Sequence, residues 1–276
     1  MSPIELGGAA LRPDELRRAL LTPGRLWSRL DVVPETGSTN DDLLAAARGG
    51  AAEGTVLVAE HQTRGRGRQG RQWVSRTGSA LIFSVLLRPV EVSPGDRGWL
   101  PLLTGVAVAR ALREVAGVDA ALKWPNDVLA GQGKLAGILA EQAGQAIVVG
   151  VGLNVAQTRD ELPPAGPGAL PPTSLALLGG RTDREPLLAG ILAELEDWYR
   201  RWTRPSPGDA EGSGLRAEYL LRSATIGRQV RVDLPGGTAL TGTASGIDPV
   251  GRLIVETASG PAAVSAGDVI HVRTRG

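Results

Sequence analysis

Apolar positions along this chain follow two periods. Three continuous runs, Thr55 to Ala59, Ala80 to Leu87 and Ala146 to Val155, have the length and composition of buried strands. Lys134 to Glu141 alternates instead, as a half-buried strand does, and the turn Gly131-Gln132-Gly133 leads into it. Asp31-Val32-Val33 reads as a further short strand, and Pro125 breaks Leu122 to Val128 into two apolar pieces. Helical spacing covers Pro13 to Leu21, Trp99 to Ala116, Pro186 to Arg201 and Leu215 to Leu221. Ser38-Thr39-Asn40-Asp41-Asp42 opens another helix to about Arg48, with Ser38 or Thr39 suited to the N-cap and acids in the first turn. Residues 156–172 hold five prolines and two glycines without periodicity, the mark of a loop and, by its length, of a lid.

Past Ser223 the pattern shortens. Val230 to Leu234, Ala239 to Ala244, Leu253 to Val255 and Val269 to Val272 are strand-like, joined by turns at Pro235-Gly236-Gly237 and Asp248 to Gly251. About fifty residues of this kind predict a small β-barrel. The expected division is an extension with one short helix over 1–24, a main domain over 25–222 and the barrel over 223–276.

Composition narrows the chemistry. Hydrophobic residues make up 42% of the 276, as in a globular protein, and cysteine is absent, which excludes disulfides and thiolate metal sites. No apolar run has membrane-spanning length and no cationic-plus-apolar leader opens the chain, so a cytoplasmic protein is expected. A formal net charge of +1 argues against general attraction to nucleic acid. Of 30 lysines and arginines only two are lysine, Lys123 and Lys134, and the only asparagines are Asn40, Asn126 and Asn154. In so arginine-rich a chain, a surviving lysine points to a place where a compact charge on a flexible stem is needed.

One stretch concentrates candidate chemistry: Gly65-Arg66-Gly67-Arg68-Gln69-Gly70-Arg71-Gln72-Trp73. Glycine lets backbone donors approach a ligand, and arginine offers planar forks to carboxylate or phosphate. From Arg64 to Arg76 there are five arginines and no acid. A solvated basic loop or a nucleic-acid segment would also fit these residues. The tract is short, unrepeated and set between strands, which favours a loop closing over an anion. Trp73 and Trp124 are open between core and ligand wall, and His61 and His271 read as structural.

Five patches in order complete the pattern: Ser38-Thr39-Asn40; Gln62 with the glycine-arginine loop; Lys123-Trp124-Pro125-Asn126-Asp127; Gly133 to Leu139; and Gly150-Val151-Gly152-Leu153-Asn154. In this order and spacing the chain resembles the biotin protein ligases, from about Leu30 to the carboxy terminus. The resemblance implies an α+β fold, a mixed, largely antiparallel central sheet with helices followed by an SH3-like barrel. It implies ATP-dependent transfer of biotin, through biotinyl-5′-AMP, to a lysine of a biotin carboxyl carrier protein or domain, with magnesium arriving on ATP and no metal fixed by the protein. Ser38, Thr39, Asn40, Gln62, Arg66, Gly67, Arg68, Lys134 and Gly137 are then expected at biotin. Arg66, Arg68, Trp73, Lys123, Asn126, Lys134 and Asn154 are expected at ATP or the adenylate. Lys134, Arg66, Arg68 and Asp127 carry the catalytic expectation, Asp127 as base or orienting acceptor for the entering amine.

The bifunctional members carry an amino-terminal DNA-binding domain, and the short stretch before Leu30 gives the expectation of the ligase-only form, without nucleic acid or membrane partners, as a monomer or weak homodimer. Two alternatives stand beside it. A lipoate- or octanoate-transferring enzyme of related fold would need a long apolar channel, against which the polar Ser38-Thr39-Asn40 set speaks. A biotin-sensing or nucleic-acid-binding module would use the arginine loop without catalysis.

Overall fold

The computed structural model describes residues 8, 10–166 and 168–272. The rest of the expected extension, residue 167 in the proline-rich loop and the last four residues lie outside them. Seven strands form the main sheet: β1 (Arg29–Thr36), β2 (Thr55–Gln62), β3 (Ala80–Leu87), β4 (Ala121–Lys123), β5 (Asp127–Ala130), β6 (Gly133–Ala143) and β7 (Ala146–Asn154). Their order is β1-β2-β3-β7-β6-β5-β4. Only β1 and β2 run parallel; every other pair is antiparallel, so the sheet is mixed and largely antiparallel as expected.

Strands β3 and β7 are buried along their whole length because both faces are covered. On one face α3 (Trp99–Ala111) and α4 (Arg184–Thr203) pack over Val85, Leu87, Val149 and Val151. On the other, α2 (Thr39–Arg48) sets Leu43, Leu44 and Ala47 against Leu86 and Val148. A strand's side chains alternate between faces, so Ser84, Gly150 and Gly152 fall on the α2 side. That face is only partly filled. Where α2 stops, a cleft opens over the glycines.

A second sheet holds β8 (Gln229–Asp233), β9 (Ala239–Ile247), β10 (Leu253–Thr257), β11 (Gly260–Val264) and β12 (Asp268–His271), antiparallel throughout in the order β11-β10-β9-β8-β12. Sequence reading missed β11, whose Gly-Pro opening and small side chains carry little strand signal. The helix expected to Ala116 continues past Ala111 as a single π turn, Leu112–Ala116. Helices α1 (Pro13–Leu20) and α5 (Leu215–Arg222) lie where their periodicity placed them. One hydrophobic core runs through both sheets, taking in Val230, Val232, Ile247 and Val255 with α3 and the main sheet. Trp99 donates to Pro249 O at 2.7 Å and Trp124 to Gly251 O at 3.1 Å, two indole pins between the parts.

Candidate active site

Strand register lays out the floor of the cleft. One rung crosses five strands: Lys123 pairs with Asp127, Asp127 with Gly137, Gly137 with Gly152 and Gly152 with Ile82. The next rung on the same face, two residues on, runs Leu139, Gly150, Ser84. Charge therefore stands at one end of the floor, hydroxyl at the other, and glycine between. Asp127 and Ser84 lie three strand spacings apart across the sheet, about 14 Å, and two residues apart along it. The cleft holds about 570 Å³.

The glycines are there because something leans on them. A Cβ at Gly152 would run into the Trp73 indole, one at Gly137 would stand 3.3 Å from that ring, and one at Gly150 would strike the Asn40 amide. Trp73 is thus a wall of the cleft, laid over the glycine floor. Trp124, at 1% exposure, is core.

At the polar end α2 begins. Ser38 is its N-cap, accepting from the Asp41 N–H at 3.4 Å, which leaves Thr39 and Asn40 in the first turn facing the sheet. Gln62 Oε1 accepts from the Thr39 N–H at 2.7 Å and its hydroxyl at 3.0 Å. Ser84 Oγ lies 2.7 Å from the Thr39 hydroxyl and 2.6 Å from Asn40 Oδ1. Asn40 Nδ2 donates to Leu139 O and Glu141. This end is neutral, buried and rich in fixed donors and acceptors. Ser84 was missed by sequence reading; a lone hydroxyl in an otherwise apolar run is its only signal.

At the other end a β-bulge does the positioning. Val128 faces Ala136 while Leu129 faces Lys134, so Leu135 is an extra residue. Without it Lys134 would share the core-facing parity of Ala136 and Ile138. With it, Lys134 turns to the cleft, where Nζ lies 2.6 Å from Asp127 Oδ1. Lys123 reaches the same carboxylate at 3.5 Å. Burial alone would raise the Asp127 pKa; Lys134 and then Lys123 outweigh it and hold the carboxyl below its ordinary value. Burial pushes Lys123 down, partly offset by Asp127. Arg68 is pushed down by burial as well; it donates to Asn126 Oδ1 and Gly267 O, each at 3.3 Å. Three cations surround one carboxylate, an end suited to anions.

The glycine-arginine loop forms a small hairpin over the cleft, with Gly67 N–H donating to Arg71 O and Trp73 N–H to Gly65 O. Its arginines do not act alike. Arg66 is held by Asp41 at 2.5 Å and Glu141 at 2.8 Å, Arg71 is paired with Asp268, and Arg68 reaches Asn126 at the lysine end. Strand β12 also brings Val269 and Ile270 to the wall, and the proline-rich loop brings Gly168, Ala169 and Leu170. Its exit is clipped to the site, since Lys134 N–H donates to Pro171 O at 2.8 Å.

Of the residues singled out from sequence, Ser38, Thr39, Asn40, Gln62, Arg66, Gly67, Arg68, Trp73, Lys123, Asn126, Asp127, Lys134 and Gly137 line this one cleft. Asn154 does not. It is buried beneath the proline-rich loop, donating to Thr173 O and accepting from Gln157. As a base Asp127 is also poorly placed, because two ammonium groups disfavour its protonation; the acceptor role fits. Burial, then Lys123 and Arg228, push His271 down to about 4, so it is neutral near pH 7. No group of three His, Cys, Asp or Glu able to hold a metal occurs among the described residues.

Comparison with known proteins agrees with this layout. The Biotin/lipoate A/B protein ligase family matches residues 34–155, and the Biotin protein ligase C terminal domain matches 225–272. The biotin–[acetyl-CoA-carboxylase] ligase of Mycobacterium tuberculosis is 47% identical over 272 residues, 95% of this chain and 98% of that protein. The bifunctional ligase/repressor BirA of Bacillus subtilis is 34% identical over 87% of this chain and 72% of its own. Among solved structures, the Aquifex aeolicus biotin protein ligase in complex with biotin and ATP superposes with a TM-score of 0.76 at 29% identity, covering 90% of this chain and 100% of that one. On its cleft, its two sheets and its near full-length similarity to a biotin ligase, the chain belongs to the biotin protein ligase family.

Proposed function

We infer that this protein attaches biotin to a lysine of a carrier protein at the cost of ATP, through biotinyl-5′-AMP. The observation that carries it is the two-ended floor: a neutral hydrogen-bonding end at Thr39, Asn40, Gln62 and Ser84, a slim glycine middle under Trp73, and a cationic end at Lys123, Lys134 and Arg68. Biotin has that order of parts, a ureido ring, a thin chain and a carboxylate. Lipoate shares the chain and carboxylate, but its dithiolane head offers no amide donors or acceptors to the polar end at Thr39, Asn40, Gln62 and Ser84, and an unpaired polar group there costs about 1–3 kcal/mol.

In the first half-reaction a biotin carboxylate oxygen attacks the α-phosphorus of MgATP, a substrate here, and pyrophosphate leaves. Negative charge gathers between two anions, where Lys134 and Arg68 are preorganised to meet it. Asp127 fixes the Lys134 ammonium and keeps two lysines compatible in one small volume. In the second, a lysine amine of a biotin carboxyl carrier domain attacks the acyl carbonyl and AMP leaves with the bonding pair. Asp127, held ionised, orients the entering amine as acceptor, and the proton passes to solvent. Trp73, Asn126, Gly67 and Arg66 complete the cover over the adenylate. The main domain over 25–222 and the carboxy-terminal domain over 223–276 act together, because β12 supplies part of the wall.

Incubation with biotin, MgATP and no acceptor releases pyrophosphate, and lipoate in place of biotin does not. Equal release with lipoate, or none with biotin, overturns the reading.

A further inference from the structure

Glu141 belongs to no motif, yet it joins the two halves of the site. It stands on β6 two residues beyond Leu139, opposite Val148, behind the wall of the biotin cleft in a second cleft bounded by the arginine loop and the smaller sheet. From there one carboxylate does two things. Its Oε2 accepts from Asn40 Nδ2 at 2.8 Å, and its two oxygens hold Arg66 at 3.0 and 2.8 Å.

An amide can be held either way round, and its neighbours decide. On the nitrogen side of Asn40 stand two acceptors, Leu139 O and Glu141; on the oxygen side stands the Ser84 hydroxyl. Asn40 is 4% exposed, so no solvent competes. Removing the carboxylate removes the stronger of the two acceptors that fix its orientation. Arg66, by contrast, sits at the rim and is gripped by Asp41 as well. The chain of contacts is continuous: Arg66, Glu141, Asn40, Ser84, Thr39, Gln62.

We propose that Glu141 is a positioning residue that couples the head pocket to the loop, holding the Asn40 amide toward biotin and, through Arg66, the loop over the adenylate. The inference rests on the biotin reading above. The carboxylate touches neither substrate, and its effect passes through Asn40 on one side and Arg66 on the other.

The two arms separate by substitution. Glu141→Ala loses both partners and is expected to weaken biotin binding and speed adenylate release, each about tenfold, the scale of one hydrogen bond to a charged group. Glu141→Gln keeps an acceptor for Asn40 but drops the charge facing Arg66. It is expected to restore biotin affinity to within about threefold of the parent while adenylate still escapes faster. In an Arg66→Ala background, Glu141→Gln is expected to add nothing to the release rate, which makes the pair non-additive. Biotin affinity is read by calorimetry and release by chase of preformed, labelled biotinyl-5′-AMP. Parent-like values for Glu141→Ala, equal biotin loss in the Ala and Gln variants, or additive release rates overturn the proposal. Should Glu141→Ala fail to fold, the Gln variant and its cycle with Arg66→Ala still decide. Failure of the parent chain to make adenylate would instead strike the biotin reading, so the two failures are distinguishable.

Discussion

At the scale of single residues the site turns on where a charge can stand. Lys134 reaches the cleft because Leu135 bulges out of register, and its Nζ would lie 3.4 Å from a Cβ placed at Gly137. A guanidinium is wider and has no such slot. Lys134→Arg is therefore expected to slow adenylation by about 10²–10³, the size of a lost transition-state contact. Its melting temperature should stay near the parent's, and a rate within a few-fold of the parent removes Lys134 from the chemistry. Asp127 carries a pH signature. Its carboxyl is held below the ordinary 3.8 by Lys134 and Lys123 against the effect of burial. A depressed carboxyl stabilises the fold above its unfolded pKa and loses that contribution as pH falls through its folded one. Relative to Asp127→Asn, the parent is expected to melt higher at neutral pH, with the gap closing only below about pH 4. A gap that widens on acidification contradicts the lysine clamp. The scarce residue types are legible in the amino-acid sequence alone, and Lys123, Lys134, Asn40 and Asn126 line one cleft. Asn154 shares their scarcity but serves the loop beneath which it is buried, so composition marks importance without naming its kind.

At the scale of elements, two glycines on one strand and one on its neighbour make the floor. Gly152→Ala would push a methyl into the Trp73 indole. Overpacking of this sort costs about 1–3 kcal/mol, and here the loop can yield more easily than the sheet. Biotin and adenylate affinity should therefore fall about 5- to 100-fold while the melting temperature changes little. Calorimetric titration checks it; unchanged affinity means the indole does not wall the ligand. Strands and helices were readable because their apolar periods are long and strong. The arginine loop was readable as an anion cover from glycine and arginine alone. That its arginines part company, Arg66 to Asp41 and Glu141, Arg71 to Asp268 and Arg68 inward, was not, because those partners lie on three separate elements.

At the scale of the whole molecule the two sheets share one core, and Trp99 and Trp124 each donate across to the smaller one. Heat should therefore unfold the chain in a single transition with calorimetric and van't Hoff enthalpies equal; two resolved transitions would mean independent parts. Sequence reading marked the change of pattern at Ser223 but could not see that β12 returns to wall the cleft, since docking between distant segments leaves no local trace. Central to all of this is a two-ended cleft that makes an adenylate and keeps it. Mixing the protein with excess biotin and MgATP, passing it through gel filtration and weighing the bound small molecule by mass spectrometry tests that claim in one step. About one equivalent of biotinyl-5′-AMP per chain is expected. Elution with no adenylate, or with a lipoyl adenylate formed equally well, would contradict it.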